Sequence, residues 1–182
     1  WSEARTFLLR SSHNRGYSGG MNLALELVER LGDGRYFFLL NNDADLRTDT
    51  IAELVRRCEE DHTIGLCGVT QQVRNADGVL VEEIAGGFRY HPAVGFPRHL
   101  HPPVGGAVDR AARDAVEAKL FGVHGAAVFG TASFLQQVGP LGVDRFIYWE
   151  EQDWATRARR AGFRVAWAPA AVIDHINDSS GN

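Results

Sequence analysis

Two acidic clusters, about a hundred residues apart, carry the side chains best able to do chemistry. The first, Asn41-Asn42-Asp43-Ala44-Asp45, follows the apolar run Tyr36-Phe37-Phe38-Leu39-Leu40. Such a run reads as a buried strand, and the turn beyond its carboxyl end is where open α/β sheets place their ligands. Asp43 and Asp45 supply two hard oxygen donors within one turn, suited to Mg2+ or Mn2+, which take carboxylates together with phosphate oxygens and water. The same residues also fit a plain strand-to-helix turn, with Thr48 or Asp49 capping the next helix.

The second cluster is Trp149-Glu150-Glu151-Gln152-Asp153. Trp154, Ala155, Ala158 and Ala161 recur at helical spacing after it, and Gly162 stands where a helix-ending glycine belongs. Glu150, Glu151 and Asp153 then crowd the first turn, with Arg157, Arg159 and Arg160 near the end. Acids first and bases last also satisfy the helix dipole. Three carboxylates in four residues repel one another, however, and that raises one pKa toward the range of a general base.

Elements must hold these clusters in place. A strand at residues 6–9 leads to the glycine-rich stretch Asn14-Arg15-Gly16-Tyr17-Ser18-Gly19-Gly20, read as a turn whose amides can approach a phosphate, with Asn14 and Asn22 bonding the local backbone. Its spacing matches neither the dinucleotide nor the P-loop fingerprint. The next helix carries Leu23, Leu27, Val28 and Leu31 on one face. Strand 36–40, helix 50–60 and strand 64–69 continue a βαβ rhythm. Asn75-Ala76-Asp77-Gly78 then predicts a hairpin turn between 71–74 and 79–84, a small antiparallel insertion. Residues 89–106, rich in Pro, Gly and His, read as a mobile loop whose His91, His99 and His101 lack a regular element to build a metal site. Late strands fall at 165–167 and 170–173. With no repeats and no linker, residues 1–182 form one domain.

Composition narrows the class. The chain has 182 residues, 45% hydrophobic, enough for one core. Its formal net charge of −4 argues against a general polyanion surface, so nucleic acid is not an expected partner. Lys119 is the one lysine among 19 basic residues, which suggests a high-GC genome more than a function. Cys58 and Cys67 lack metal or disulfide-framework spacing and point to a reducing compartment. No apolar run approaches the roughly 20 residues of a membrane span.

In order, Asn14-x-Gly16-x-x-Gly19-Gly20-x-Asn22, Leu39-Leu40-Asn41-Asn42-Asp43-x-Asp45, Gly125-Ala126, Phe146-x-Tyr148-Trp149-Glu150-Glu151-x-Asp153-Trp154-x-x-Arg157 and Asp174-His175 resemble a family 2 glycosyltransferase of the GT-A fold. The likeness is greatest to the branch with bacterial rhamnosyltransferases and related cell-surface polysaccharide enzymes, and it covers nearly the whole chain. It implies an α/β domain with a mostly parallel central sheet, flanked by helices and carrying a small antiparallel insertion. It also implies an inverting transfer of a sugar from a nucleoside diphosphate donor to a hydroxyl of a glycan or lipid-linked acceptor, in the cytoplasm or peripherally at the inner face of the cell membrane. A divalent cation, Mg2+ or Mn2+, would sit on Asp43, Asp45 and His175. Asn14, Gly16, Asn42, Asp43 and Gly125 would bind the donor, and Tyr148, Trp149 and Arg157 the acceptor.

Glu151 falls at the family's catalytic base, where Asp is usual, with Glu150 as a substitute and Asp153 closing the motif. Gly142-Val143 replaces an acidic pair often found before Phe146, which bears on acceptor contacts. The resemblance further implies that a strand, a helix and a second strand precede Trp1. The chain is therefore expected to be N-terminally incomplete, short of much of the base pocket and with one side of its sheet exposed. Two other functions fit some residues: a non-catalytic nucleotide-sugar or carbohydrate-binding module, and a metal-dependent phosphohydrolase using Asp43 as nucleophile. The second lacks the expected Thr, since Arg47 stands there, and has only Lys119 to offset phosphate charge.

Overall fold

In the computed structural model, which describes residues 6–32, 34–75, 77–90, 96–104, 107–143 and 150–176, a central sheet lies between two layers of helices. The elements in order are α1 (Gly16–Leu31), β1 (Tyr36–Leu40), β2 (Ala44–Leu46), α2 (Thr50–Glu59), β3 (Ile64–Arg74), β4 (Leu80–Ala85), β5 (Gly87–Tyr90), β6 (Pro97–His99), α3 (Arg110–Glu117), β7 (Gly122–Val123), β8 (Ala127–Thr131), α4 (Ala132–Val138), α5 (Glu150–Arg160) and β9 (Arg164–Ile176). The main sheet runs β1-β8-β3-β9-β2, and β4 pairs with the far end of β3.

The α/β class is as expected, and the long β3–β9 ladder at the centre is parallel. Strands β1, β3 and β9 share one direction, while β8, β2 and β4 run against their neighbours. Side-chain alternation divides the apolar residues between two cores. Phe37, Leu39, Leu66, Val128, Val165 and Trp167 pack on one face with residues of α1, α4 and α5. Phe38, Leu40, Cys67, Phe129, Ala166 and Ile173 pack on the other with Leu54 and Cys58 of α2. Strands covered on both faces must be apolar on both, which is why β1 shows no polar alternation.

Several expected elements differ. Residues 6–9 form no strand: Phe7, Leu8 and Leu9 are exposed and no described strand pairs with them. The glycine-rich stretch is already helical from Gly16, and α1 buries Ser18, Asn22 and Leu25 instead of the Leu23-Leu27-Val28-Leu31 face. Asn14 does bond the local backbone, accepting from Gly16 N at 2.9 Å. Asn22 reaches across the chain, donating to Leu141 O at 2.9 Å and accepting from Leu141 N at 3.0 Å. Neither Thr48 nor Asp49 caps α2 with its side chain; Asp49 holds the N-cap position through its backbone.

The expected strands 64–69 and 71–74 are one strand, β3, whose pairing with β9 shifts register between Val69 and Thr70, and the expected antiparallel hairpin follows as β3 turns into β4. Asn75 closes that turn by accepting from Asp77 N and Val79 N. Part of the stretch 89–106 is regular: Tyr90 ends β5, and β6 pairs beside it in a three-stranded sheet ordered β6-β5-β7. His91 lies outside the described residues. Gly86, at φ +74°, lets the chain pass from β4 in the main sheet to β5 in the small one.

Candidate active site

The first acidic cluster is a turn followed by an edge strand. Ala44 N donates to Asn41 O at 3.3 Å, closing the turn, and β2 then pairs antiparallel with β9, Ala44 opposite His175 and Asp45 opposite Asp174. This register brings His175 Nε2 to 3.2 Å from Asp43 Oδ1. On its other side the imidazole Nδ1 is 3.0 Å from Gln71 Nε2. Asp43 is about half exposed and His175 largely covered.

Asp45 has a different setting. Residues opposite one another on paired strands share a face, so Asp45 lies with Asp174, away from the His175 face. Asp174 is engaged by Arg74 Nε at 2.8 Å and Arg47 Nε at 3.4 Å. The hydrogen bond from Arg74, reinforced by Arg47, holds the Asp174 carboxyl below its ordinary range. The structure thus joins Asp43 to His175 and puts Asp45 on the other face of β2 from His175. Among the described residues no group of three or more His, Cys, Asp or Glu is arranged to hold a metal ion. The donor set of Asp43 and His175 fits a divalent cation that takes its remaining ligands from phosphate and water.

The second cluster opens α5 as expected, and Trp154, Ala155 and Ala158 are buried while Ala161 is exposed. Glu150 is 4% exposed, and its Oε1 has no partner within the chain. Glu151 lies against Gly125. Burial raises the Glu151 pKa, and the charge of Glu150 adds to the rise against the opposing pull of a backbone hydrogen bond. Both carboxylates line a cleft of about 590 Å³ together with Tyr17, Asn41, Phe88, Phe96, His99, His124 and Gly125.

The turn at Gly125-Ala126 links the two clusters. Asn41 N donates to Ala126 O at 2.9 Å, seating the Asn41–Asp43 turn against it. Tyr17 OH donates to Gly125 O at 2.7 Å. Burial pushes the Tyr17 hydroxyl well above its ordinary range, and the charges of Glu151 and Glu150 push the same way. It stays a neutral donor. Burial drives His124 down to about 4, helped by the neighbouring charges of His99 and His175, so it is neutral near pH 7.

Other expected site residues lie elsewhere. Asp153 pairs with Arg157 at 2.8 Å on the solvent side. The Arg157 guanidinium also donates to Val138 O at 2.7 Å and Pro140 O at 2.8 Å, tying α5 to the end of α4, and it does not line the cleft. Asn42 is exposed in the turn, Gly16 opens α1, and Asn14 lies just before it, accepting from Gly16 N. Tyr148 and Trp149 lie outside the described residues. Sequence reasoning missed Tyr17, Gln71 and His124. The first sits inside the glycine-rich motif and the last just before Gly125, where proximity to a motif was a usable signal; nothing local marks Gln71.

No protein-family model matches the chain, and no curated protein matches its sequence. Solved structures do share its architecture. GalNAc-T7, solved with UDP, GalNAc and Mn2+, is 15% identical with a TM-score of 0.69, over 95% of this chain and 32% of that one. The mannosyltransferase PcManGT from Pyrobaculum calidifontis, solved with GDP-Man and Mn2+, is 18% identical with a TM-score of 0.61, over 96% of this chain and 40% of that one. The chain therefore spans about a third to two-fifths of the length of these structures, and what it shares with them is the fold of a GT-A glycosyltransferase domain.

Proposed function

We propose that this domain is the catalytic part of an inverting glycosyltransferase of the family 2 type, moving a sugar from a nucleoside diphosphate donor to a hydroxyl of a glycan or lipid-linked acceptor. One observation carries the reading: Glu151, a carboxylate whose pKa burial raises, lines the same cleft as Asn41, whose turn presents Asp43 to His175. In this reading a base and a diphosphate anchor rest on neighbouring turns, the Asn41–Asp43 turn bonded to Ala126 and Glu151 packed on Gly125. The two similar structures, each holding a nucleotide and Mn2+, support a divalent cation here.

Asp43 and His175 would hold that cation. When bound, it offsets the charge that develops on the departing diphosphate. The rest belongs to the chain. An acceptor hydroxyl enters between the first turn of α5 and the wall formed by Phe88, Phe96 and His99. Glu150, with a free oxygen in a dry setting, accepts a hydrogen bond from the acceptor. Glu151 takes the proton of the attacking hydroxyl as its oxygen bonds to the anomeric carbon and the bond to the diphosphate breaks, which inverts that carbon. Tyr17 fixes the Gly125 carbonyl, and thus the turn against which Glu151 packs. We further place the domain on the cytoplasmic side, serving cell-surface polysaccharide synthesis, with a rhamnosyl-type donor as the first to try.

The test is a panel of nucleoside diphosphate sugars with Mn2+ and neutral acceptors, scored for nucleotide release and, by NMR, for anomeric configuration of the product. Acceptor-stimulated release with inversion supports the reading. Binding without turnover would make this a recognition module, and retention at the anomeric carbon would overturn the single-displacement role of Glu151.

A further inference from the structure

Gln71 has no counterpart among the residues so far given a task, yet its position is unusual. It is 1% exposed on β3, two residues from Val73, which pairs with His175, and on the same face. Its amide nitrogen contacts His175 Nδ1 at 3.0 Å, while its amide oxygen is buried with no partner. A buried amide usually satisfies both ends, and one left open is a standing cost.

An amide nitrogen only donates, so in this arrangement His175 Nδ1 accepts and the neutral ring carries its proton on Nε2. That proton points to Asp43 Oδ1, 3.2 Å away, and occupies the lone pair a cation would need. For Nε2 to ligate, its proton must leave to solvent and another must arrive at Nδ1, with no net change in the ring. Nδ1–H then needs an acceptor. Rotating the Gln71 amide by half a turn supplies one, because the unpartnered oxygen comes round to the ring.

We propose that Gln71 is the positioning residue of the cation site, an amide that serves both tautomers of His175 and orients the ring toward Asp43. A fixed acceptor would hold one tautomer only. Glutamine suits a site that must load and release its cation between turnovers. This inference rests on the reading of Asp43 and His175 as the cation site.

The experiment measures Mn2+ binding to the whole chain by electron paramagnetic resonance, without any sugar donor, and the His175 tautomer by nitrogen-15 NMR in metal-free protein. Wild type is expected to carry its proton on Nε2. Gln71→Met should weaken Mn2+ binding roughly 10–100-fold, the usual effect of losing an outer partner of a metal-bound histidine. Gln71→Glu, which keeps an acceptor for Nδ1–H, should place a proton on Nδ1 of the metal-free ring and bind Mn2+ at least as tightly as wild type. If Gln71→Glu binds as weakly as Gln71→Met, or leaves Nδ1 without a proton, the positioning role is overturned. If Asp43→Asn and His175→Ala leave Mn2+ binding intact, the cation reading itself fails. The tautomer measurement still judges the pairing of Gln71 with His175 in that case, and should Gln71→Met not fold, Gln71→Glu alone decides.

Discussion

Gly125 and Glu151 are packed so closely that a methyl group built on Gly125 would overlap the Glu151 carboxylate oxygen. The proposed base therefore owes its position to a missing side chain. Gly125→Ala should push Glu151 off its place, and displacement by about 1 Å can cost on the order of 10²-fold in rate. We expect kcat to fall by that order with donor affinity and folding little changed. Steady-state kinetics beside calorimetric donor binding would check it; an unaltered kcat would show that Glu151 has room to spare.

Glu151→Gln keeps the size of the side chain and cannot accept a proton. Its kcat should drop roughly 10²–10⁴-fold. Because burial raises the Glu151 pKa and the reaction needs the ionised form, the acid limb of the wild-type kcat profile should lie above the ordinary carboxylate range. Activity should fall as pH drops through that raised value. Residual activity of the Glu151→Gln variant with the same acid limb would assign the limb to another group, with Glu150 the next to replace.

Replacing the two aspartates of the first cluster should have unequal effects. Asp43 touches His175, and Asp45 shares its face with Asp174. Asp43→Asn should abolish most Mn2+-dependent turnover, while Asp45→Asn should retain more of it. Titrating Mn2+ against each variant discriminates them, and equal loss would mean that donor binding draws Asp45 into the site.

His124 makes the fold sensitive to acid. Its pKa is pushed down to about 4 in the folded protein, from about 6.5 unfolded. Between those values the unfolded chain binds a proton that the folded one refuses, so stability falls as pH falls through this window. The loss by pH 4.5 should be roughly 2–3 kcal/mol. Urea unfolding at pH 7 and 4.5 would measure it, and His124→Gln should show a smaller drop.

Glu117 anchors the opposite face. It accepts from Arg57 at 2.9 Å on both oxygens, from Trp167 N at 2.9 Å and from Arg164 at 3.1 Å. Arg57 and Glu117 are both almost fully buried, so Glu117→Ala leaves the Arg57 charge inside with only Glu60, at 3.8 Å, as an acidic partner and should cost about 3 kcal/mol or more. Exchanging both for apolar residues, Arg57→Met with Glu117→Leu, should recover much of it. Chemical denaturation of the single and double variants gives the comparison.

Much of this protein was legible in local pattern. Tyr36–Leu40 is apolar on both faces because helices cover both, and Asn75 closed its hairpin as turn chemistry requires. Glu150 and Glu151 fell at a helix start because acids followed by spaced small residues and a final glycine permit little else. These features depend on neighbours within a few residues, and a sequence displays them directly. The expected strand at 6–9 failed for the complementary reason: a strand needs a partner, and its own residues cannot say whether one is beside them.

Contacts between distant positions were decided by the tertiary structure alone. Which aspartate meets His175 follows from the register of β2 on β9, and a shift of one residue would have put Asp45 opposite His175 in place of Ala44. Gln71 reads as an ordinary polar residue in a strand until β3 and β9 align to set it against the His175 ring. The Glu151 pKa is raised chiefly by burial, and burial is a property of everything packed around a group, Gly125 included, 26 residues earlier in the chain. Residue types therefore announced which chemistry was available, and strand register and packing chose which of those residues stand close enough to perform it.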